Sequence, residues 1–359
     1  SPKDAVASVS IWVVIGGIIA MVAYVAALYG IFHGVLLRKR VFERMKIPYR
    51  RLRVSGVLLL LTGLLFIPIR GGFTVSTMNT GKVYFSTDQR LNHAAINPAF
   101  SLMESLSKQK DFGSQYRFME ADAADRIFSG LTDPAVPMRD GISADSLLQA
   151  PDSLHSLFTT KRPDVLFIIM ESFSSWLMTT LGGEPGVAVQ LDSLAQEGVL
   201  FTNFYANSFR TDRGLVSTLS GHISYPTTSI MKLPAKSRLL PGIARTLQQA
   251  GYQTDFLYGG DINFTNMRSY FTTTGYQHLT SDTDFSLQER TSSSWGAHDE
   301  YTFDRLYEML ESRPADRLWH TGFLTLSSHE PFEVPYNRLK DKRQNSFAYT
   351  DPVSYTHLR

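Results

Sequence analysis

The sequence predicts an α/β domain with a mainly parallel sheet, set after N-terminal transmembrane helices. Three observations predict it. Residues 5–37 contain no Asp, Glu, Lys or Arg. From Pro163 onward, short apolar runs alternate with helix-length stretches, the pattern of helices on both faces of a sheet. One of these runs, Val165 to Met170, is uninterrupted and then stops on a carboxylate, Glu171. Such a run suits a central strand buried on both faces.

The chain has 359 residues, enough for two or three structural units, and a net charge of +2. That charge makes no whole-protein case for nucleic acid. There are no cysteines, which excludes disulfides, thiolate metal sites and a cysteine nucleophile. Ser1 in place of Met predicts a natural start upstream.

The apolar core of the first span, Ile11 to Leu37, is longer than the ~20 residues that cross a bilayer. Its small residues, among them Gly16, Gly17, Ala20 and Gly30, permit close helix packing. The run is too long for a signal peptide and is followed by charge, not by a cleavage site. His33 near its end reads as interfacial. Arg38 to Arg53 then carries eight basic residues against one acid, Glu43. Between two apolar runs this is a cytoplasmic loop by the positive-inside rule. The second run, Val54 to Ile69, covers about 24 Å as a helix. It spans if Arg53 and Arg70 snorkel. Two spans around a cytoplasmic loop place everything after Gly71 outside the cytoplasm.

Residues 71–162 read as an extracytoplasmic connecting region. Leu91 to Lys108 is partly helical, with Asn97-Pro98 a helix start. Ala121 to Phe128 is a further short helix with Gly130 as its stop. Asp133 to Asp152 is rich in Asp, Pro and Ser and reads as a surface linker. Asn92 and His93 read as solvated loop residues, with a place near a lipid substrate as the alternative.

In the domain proper, strands are expected at 165–170, 199–205, 253–260 and from 321. Helices are expected at 191–198, with Gly198 as a left-handed stop, from Arg213 to Leu219, at 241–250 and at 300–312. Ligands of open α/β sheets gather at the carboxyl ends of the strands. Glu171 stands at one such end, either as a metal ligand or as a cap of the next helix with Ser172 and Ser174. Thr211 follows another run, just before a helix whose N-terminus suits an anion. Beside a cation its hydroxyl can become a nucleophile; the plainer alternative is Thr211 or Asp212 as an N-cap. His329 follows Ser327 and Ser328 at a third strand end. Trp295 to Asp299 (WGAHD) adds His298 beside an aromatic residue, with Asp299 as a further helix cap.

Glu171, Thr211 some forty residues on, WGAHDE and LSSHEPF, in this order, resemble the lipoteichoic acid synthase-like branch of the alkaline phosphatase and sulfatase superfamily. The resemblance runs from about Ile11 to Asp351 and is densest over 164–332. It implies a membrane-anchored enzyme of a bacterial cell membrane, with its catalytic domain facing outward. Such an enzyme moves a phosphoglycerol- or phosphoethanolamine-type group from a phospholipid or glycolipid through a phospho-threonine, with a divalent metal, usually manganese. It further implies Glu171 and Thr211 as metal ligands, Thr211 as nucleophile, and His329, Trp295 and His298 as substrate-binding residues. Arg210 and Arg213 are candidates to pair with phosphate. Sulfatase relatives carry Cys or Ser followed by Pro two positions on and Arg four positions on. Here Arg213 and Leu215 stand at those positions, while Leu-Ser-Gly at 219–221 resembles the end of that signature.

The branch completes its metal site with an adjacent Asp-His pair on a later strand. No such pair follows His329; Asp351 and His357 lie six apart in DPVSYTHLR. The sequence therefore predicts a domain cut short at its C-terminus, with 352–359 a tail foreign to the family. Two alternatives stay open: a sulfatase-like or phosphodiester hydrolase of the same fold, and an inactive truncated domain that binds a glycolipid or a partner.

Overall fold

The computed structural model describes residues 11–37, 51–73, 76–107, 117–132, 160–202 and 204–358. The contacts divide the chain into two compact units, 1–74 with 101–116, and 75–100 with 117–359.

In the first unit, α1 (Ile11–Ile31) continues as a wider π-type turn over Phe32–Leu37. Helix α2 (Arg51–Leu64) continues into a short helix, Phe66–Arg70. Both stretches are long and apolar enough to cross a membrane, over Ile15–Gly34 and Leu52–Arg70. Their large side chains are exposed, as a lipid-facing surface requires. The basic loop lies outside the described residues over 38–50, and so does the segment 133–159.

Helix α3 (Gln89–Ala95) is capped by Asp88, whose carboxylate accepts the Arg90 amide at 2.9 Å. Asn97 does the same for α4 (Pro98–Ser107), accepting the Phe100 amide at 3.1 Å. Helix α5 (Ala121–Thr132) runs through Gly130 instead of stopping there. A helix interior tolerates one glycine at about 1 kcal/mol. The segment before α3 is more than a connector: Tyr84 is buried and Asn79 donates to the Asn263 carbonyl at 3.2 Å.

The second unit is built on a four-stranded, fully parallel sheet in the order β1-β4-β2-β3. The strands are β1 (Val165–Ile169), β2 (Gln253–Tyr258), β3 (His278–Thr280) and β4 (Trp319–Leu324). The helices between them are α6 (Val189–Glu197), α7 (Thr211–Ser220), α8 (Ile243–Gln249), α9 (Met267–Thr274) and α10 (Asp299–Glu311); α11 (Lys342–Leu358) follows β4. Alternation along each strand sends side chains to two cores. Phe256, Tyr258 and Leu324 join Tyr270, Phe271 and Leu215. Leu257 and Phe323 join Phe303 and Leu306. Phe256, Leu257, Phe323 and Phe303 have no exposed surface. This is the doubly covered sheet that uninterrupted apolar runs require.

Three further local expectations fail. Asn92 is buried in α3, not in a solvated loop. Gly198 ends α6 in an extended conformation (φ −123°, ψ −162°), not a left-handed one. Residues 199–205 form no strand among those described, and Val199, Phe201, Phe204 and Tyr205 are exposed. Strand propensity acts only through pairing and packing, and the sheet ends at β1 and β3 without a neighbour for this segment. Beyond β4, α11 carries Asp351, whose carboxylate accepts the Gln190 and Leu191 amides, both at 2.8 Å. Asp351 and His357 therefore sit on a helix, not at a strand end.

Candidate active site

The carboxyl ends of β1, β4 and β2 lie side by side, with Ile169 level with Leu324 and Leu324 level with Tyr258. Just beyond this edge, the Glu171 amide donates to the Thr325 hydroxyl at 2.9 Å, and the Glu171 carbonyl accepts from Ser328 at 2.5 Å. Glu171 is thus gripped by the loop after β4, and it is 9 % exposed. The chain turns away at once, because Ser172 takes φ 55°.

Thr211 is the first residue of α7, after Arg210 at the N-cap position. Its hydroxyl is 3.0 Å from both oxygens of the Glu171 carboxylate. The N-cap position belongs to Arg210 and no side chain caps the helix, so neither Thr211 nor Asp212 acts as its cap. Asp212 instead faces cations, with Lys232 Nζ at 3.0 Å and Arg210 Nε at 3.8 Å. The first amides of a helix have no intrahelical acceptor, so Thr211 stands at an end that favours anions. Ser174 caps a short turn of helix rather than holding Glu171.

Glu171, Thr211, Trp295 and His329 line one cavity of about 640 Å³. Trp295 Nε1 donates to the Glu330 carbonyl at 2.8 Å, and His329 Nδ1 lies 2.7 Å from the same oxygen. A carbonyl can only accept, so His329 Nδ1 carries the proton and Nε2 is left for other partners. The two rings lie 4.2 Å apart. Trp295 reaches this place through glycine. Gly296 has φ 145°, and a Cβ there would lie 2.2 Å from the Gly259 carbonyl. The same carbonyl accepts the Ala297 amide at 2.9 Å.

The structure does not bring His298 to the cavity, although it follows Trp295 by three residues. His298 is buried beneath Tyr349, with ring centres 6.0 Å apart, and burial holds its pKa below the usual imidazole value. Of the two candidate phosphate arginines, Arg210 lines the cavity and Arg213 does not. Arg213 is buried and donates to the Tyr225 and Pro226 carbonyls.

Sequence reasoning missed Tyr258, Phe264 and Arg343, which also line the cavity. Tyr258 could have been found, since it ends β2 just before a glycine pair. Its phenol is pushed upward by burial, with the nearby Glu171 charge adding to the effect. Arg343 carries no sequence signal; it reaches the rim from α11. Four non-glycine residues take left-handed φ among those described, and Ser172, Thr265 and Phe332 of them line the cavity. Such strain gathers at functional sites.

A divalent cation fits these residues only in part. Glu171 and Thr211 offer oxygen donors, but among the described residues no group of three or more His, Cys, Asp or Glu could hold a metal. Oxygen-ligated cations need about six donors, so the described side chains do not make a complete metal site.

The Sulfatase family model matches residues 163–354, more than half of the chain. The chain belongs to the Sulfatase family, a family of enzymes. It is 24 % identical over 178 residues to the lipoteichoic acid synthase-like YvgJ of Bacillus subtilis, which covers 48 % of this chain and 28 % of that protein. It is 30 % identical over 98 residues to an N-acetylglucosamine-6-O-sulfatase of Bacteroides thetaiotaomicron, covering 26 % of this chain and 17 % of the relative. A solved protein of the alkaline phosphatase superfamily from Vibrio parahaemolyticus superposes with a TM-score of 0.52 at 29 % identity, covering 56 % of this chain and 50 % of the other. The chain thus spans half or less of the length of each of these proteins.

Proposed function

We propose that this chain carries the donor site of a membrane-anchored transferase that moves a phosphoglycerol- or phosphoethanolamine-type group from a lipid to an acceptor hydroxyl. The observation that carries the reading is the Thr211 hydroxyl, 3.0 Å from both Glu171 oxygens on a cavity with Arg210, Arg343, His329 and Trp295 in its lining. The similarity to YvgJ, named as lipoteichoic acid synthase-like, supports a lipid-derived phosphoryl group. The two apolar helices support attachment to the bacterial cell membrane that holds such a donor, and the basic loop supports an outward-facing domain. An extracytoplasmic connector over 71–162 and a catalytic domain over 163–351 belong to this reading.

In the first step the Thr211 oxygen attacks phosphorus as its proton passes to Glu171. The bond to the lipid alkoxide breaks, and the alkoxide takes a proton from solvent to leave as an alcohol. Arg210 and Arg343 offset charge on the phosphoryl oxygens, and the positive end of α7 adds to this. In the second step the acceptor oxygen attacks phosphorus and gives its proton to solvent, the bond between phosphorus and the Thr211 oxygen breaks, and Thr211 recovers its proton from Glu171. A divalent metal, manganese by the family resemblance, would supply further charge stabilisation in the superfamily. The described donors do not complete its site, so no step here passes through it.

A phosphodiester hydrolase is the second reading, with water as acceptor; family membership favours it as much as transfer. A threonine in place of Cys or Ser, without the Pro two positions on, argues against sulfate esters. Head-group-labelled glycerophospholipid separates the two. Transfer predicts label on an added polyol or glycolipid acceptor, whereas release of free glycerol phosphate at the same rate with and without acceptor would support the hydrolase.

A further inference from the structure

Asp299 has no exposed surface, and its carboxylate accepts three hydrogen bonds, although it does not line the cavity. Its Oδ1 accepts the Leu326 amide at 2.7 Å and the Ser327 amide at 3.1 Å. Its Oδ2 accepts the Thr350 hydroxyl at 2.7 Å. Its own amide donates to the Ser327 hydroxyl at 2.8 Å. These bonds join three separate segments, and each segment brings one side chain to the cavity. Trp295 lies four residues before Asp299. His329 lies two residues after Ser327. Arg343 lies seven residues before Thr350 on α11, two turns along the same helix face.

We propose that Asp299 is the positioning residue of this cavity, a buried acceptor that fixes the Trp295, His329 and Arg343 walls relative to one another. It acts neither as a metal ligand nor as an acid or base. The proposal rests on reading the cavity as the donor site, but the clamp itself is a property of the fold. Burial raises the Asp299 pKa, which favours a role that needs acceptors rather than charge. An asparagine fits that role. Its oxygen would keep both backbone amides, and its NH2 would donate to Thr350 Oγ1, which can rotate to accept. Alanine would leave the Leu326 and Ser327 amides and the Thr350 hydroxyl without their acceptor, a costly loss in a buried site.

The test compares Asp299→Asn, Asp299→Ala and Thr350→Val in the full membrane-embedded chain, with two readouts. The first is acrylamide quenching of Trp295, isolated by subtracting the Trp295→Phe signal; it needs no turnover. The second is the split between KM and kcat for head-group transfer. Asp299→Asn should match the parent in both. Asp299→Ala should raise Trp295 quenching and raise KM about tenfold or more, because an ångström of misplacement is that costly, with a smaller effect on kcat. Thr350→Val should move quenching in the same direction by less, and it carries the test alone if Asp299→Ala does not fold. Equal loss in Asp299→Asn and Asp299→Ala overturns the proposal, since it would show that the charge is needed. Unchanged quenching in Thr350→Val and Asp299→Ala overturns it too. If no variant or parent transfers a head group but quenching follows the predicted order, the donor-site reading fails and the clamp stands.

Discussion

At the scale of single residues, Thr211 and Glu171 owe their meeting to two unrelated local rules. Glu171 ends a strand that cannot continue into the core with a charge, and the loop after β4 fixes it through Thr325 and Ser328. Thr211 opens a helix one position after the Arg210 N-cap, among the first amides that have no intrahelical acceptor. Both residues were legible in the sequence by position. That they touch was not, because the contact joins residues 40 positions apart. His298 shows the converse. Its place beside Trp295 suggested the cavity, yet the helical start at Asp299 turns its ring beneath Tyr349. Arg343 was illegible because nothing in its neighbours marks it; only the docking of α11, tied down through Asp351 and Thr350, brings it to the rim.

At the scale of elements, the parallel strands with long apolar runs were read correctly, since a strand buried on both faces leaves a plain signature. The run 199–205 has the same signature and forms no strand among the described residues. Composition records what a segment prefers, and pairing decides what it becomes. The approach of the Trp295 segment to the end of β2 is set by glycine. At Gly296 a side chain would need both a left-handed φ and space already filled by Gly259. Gly296→Ala is therefore expected to destabilise the fold by about 1–3 kcal/mol from backbone strain alone, with a further loss from the clash. Urea denaturation followed by far-UV circular dichroism measures it, and a midpoint equal to that of the parent would refute the assignment.

At the scale of the whole molecule, two buried histidines give stability a pH dependence. Burial lowers the pKa of His298 and of His320, which lies between the Val165 carbonyl and the Tyr276 hydroxyl. Below the ordinary imidazole pKa of about 6.5, the unfolded chain binds protons that the folded chain refuses. Stability is therefore full above that value and falls as pH drops through it towards the lowered folded pKa values. The raised pKa of buried Asp299 acts in the opposite sense, favouring the fold at lower pH. Melting temperatures between pH 7.5 and 5 should fall for the parent, and less steeply for His320→Gln if that variant folds.

The proposed function requires the Thr211 hydroxyl oxygen to be the atom that receives the phosphoryl group. The most direct measurement is peptide mapping by mass spectrometry after acid quench of the full-length protein turning over a glycerophospholipid donor. A mass increase of one head-group phosphate is expected on the peptide holding Thr211, absent in Thr211→Ala, whose transfer activity should be lost. A modified peptide elsewhere, or transfer by Thr211→Ala at the parent's rate, would contradict the account.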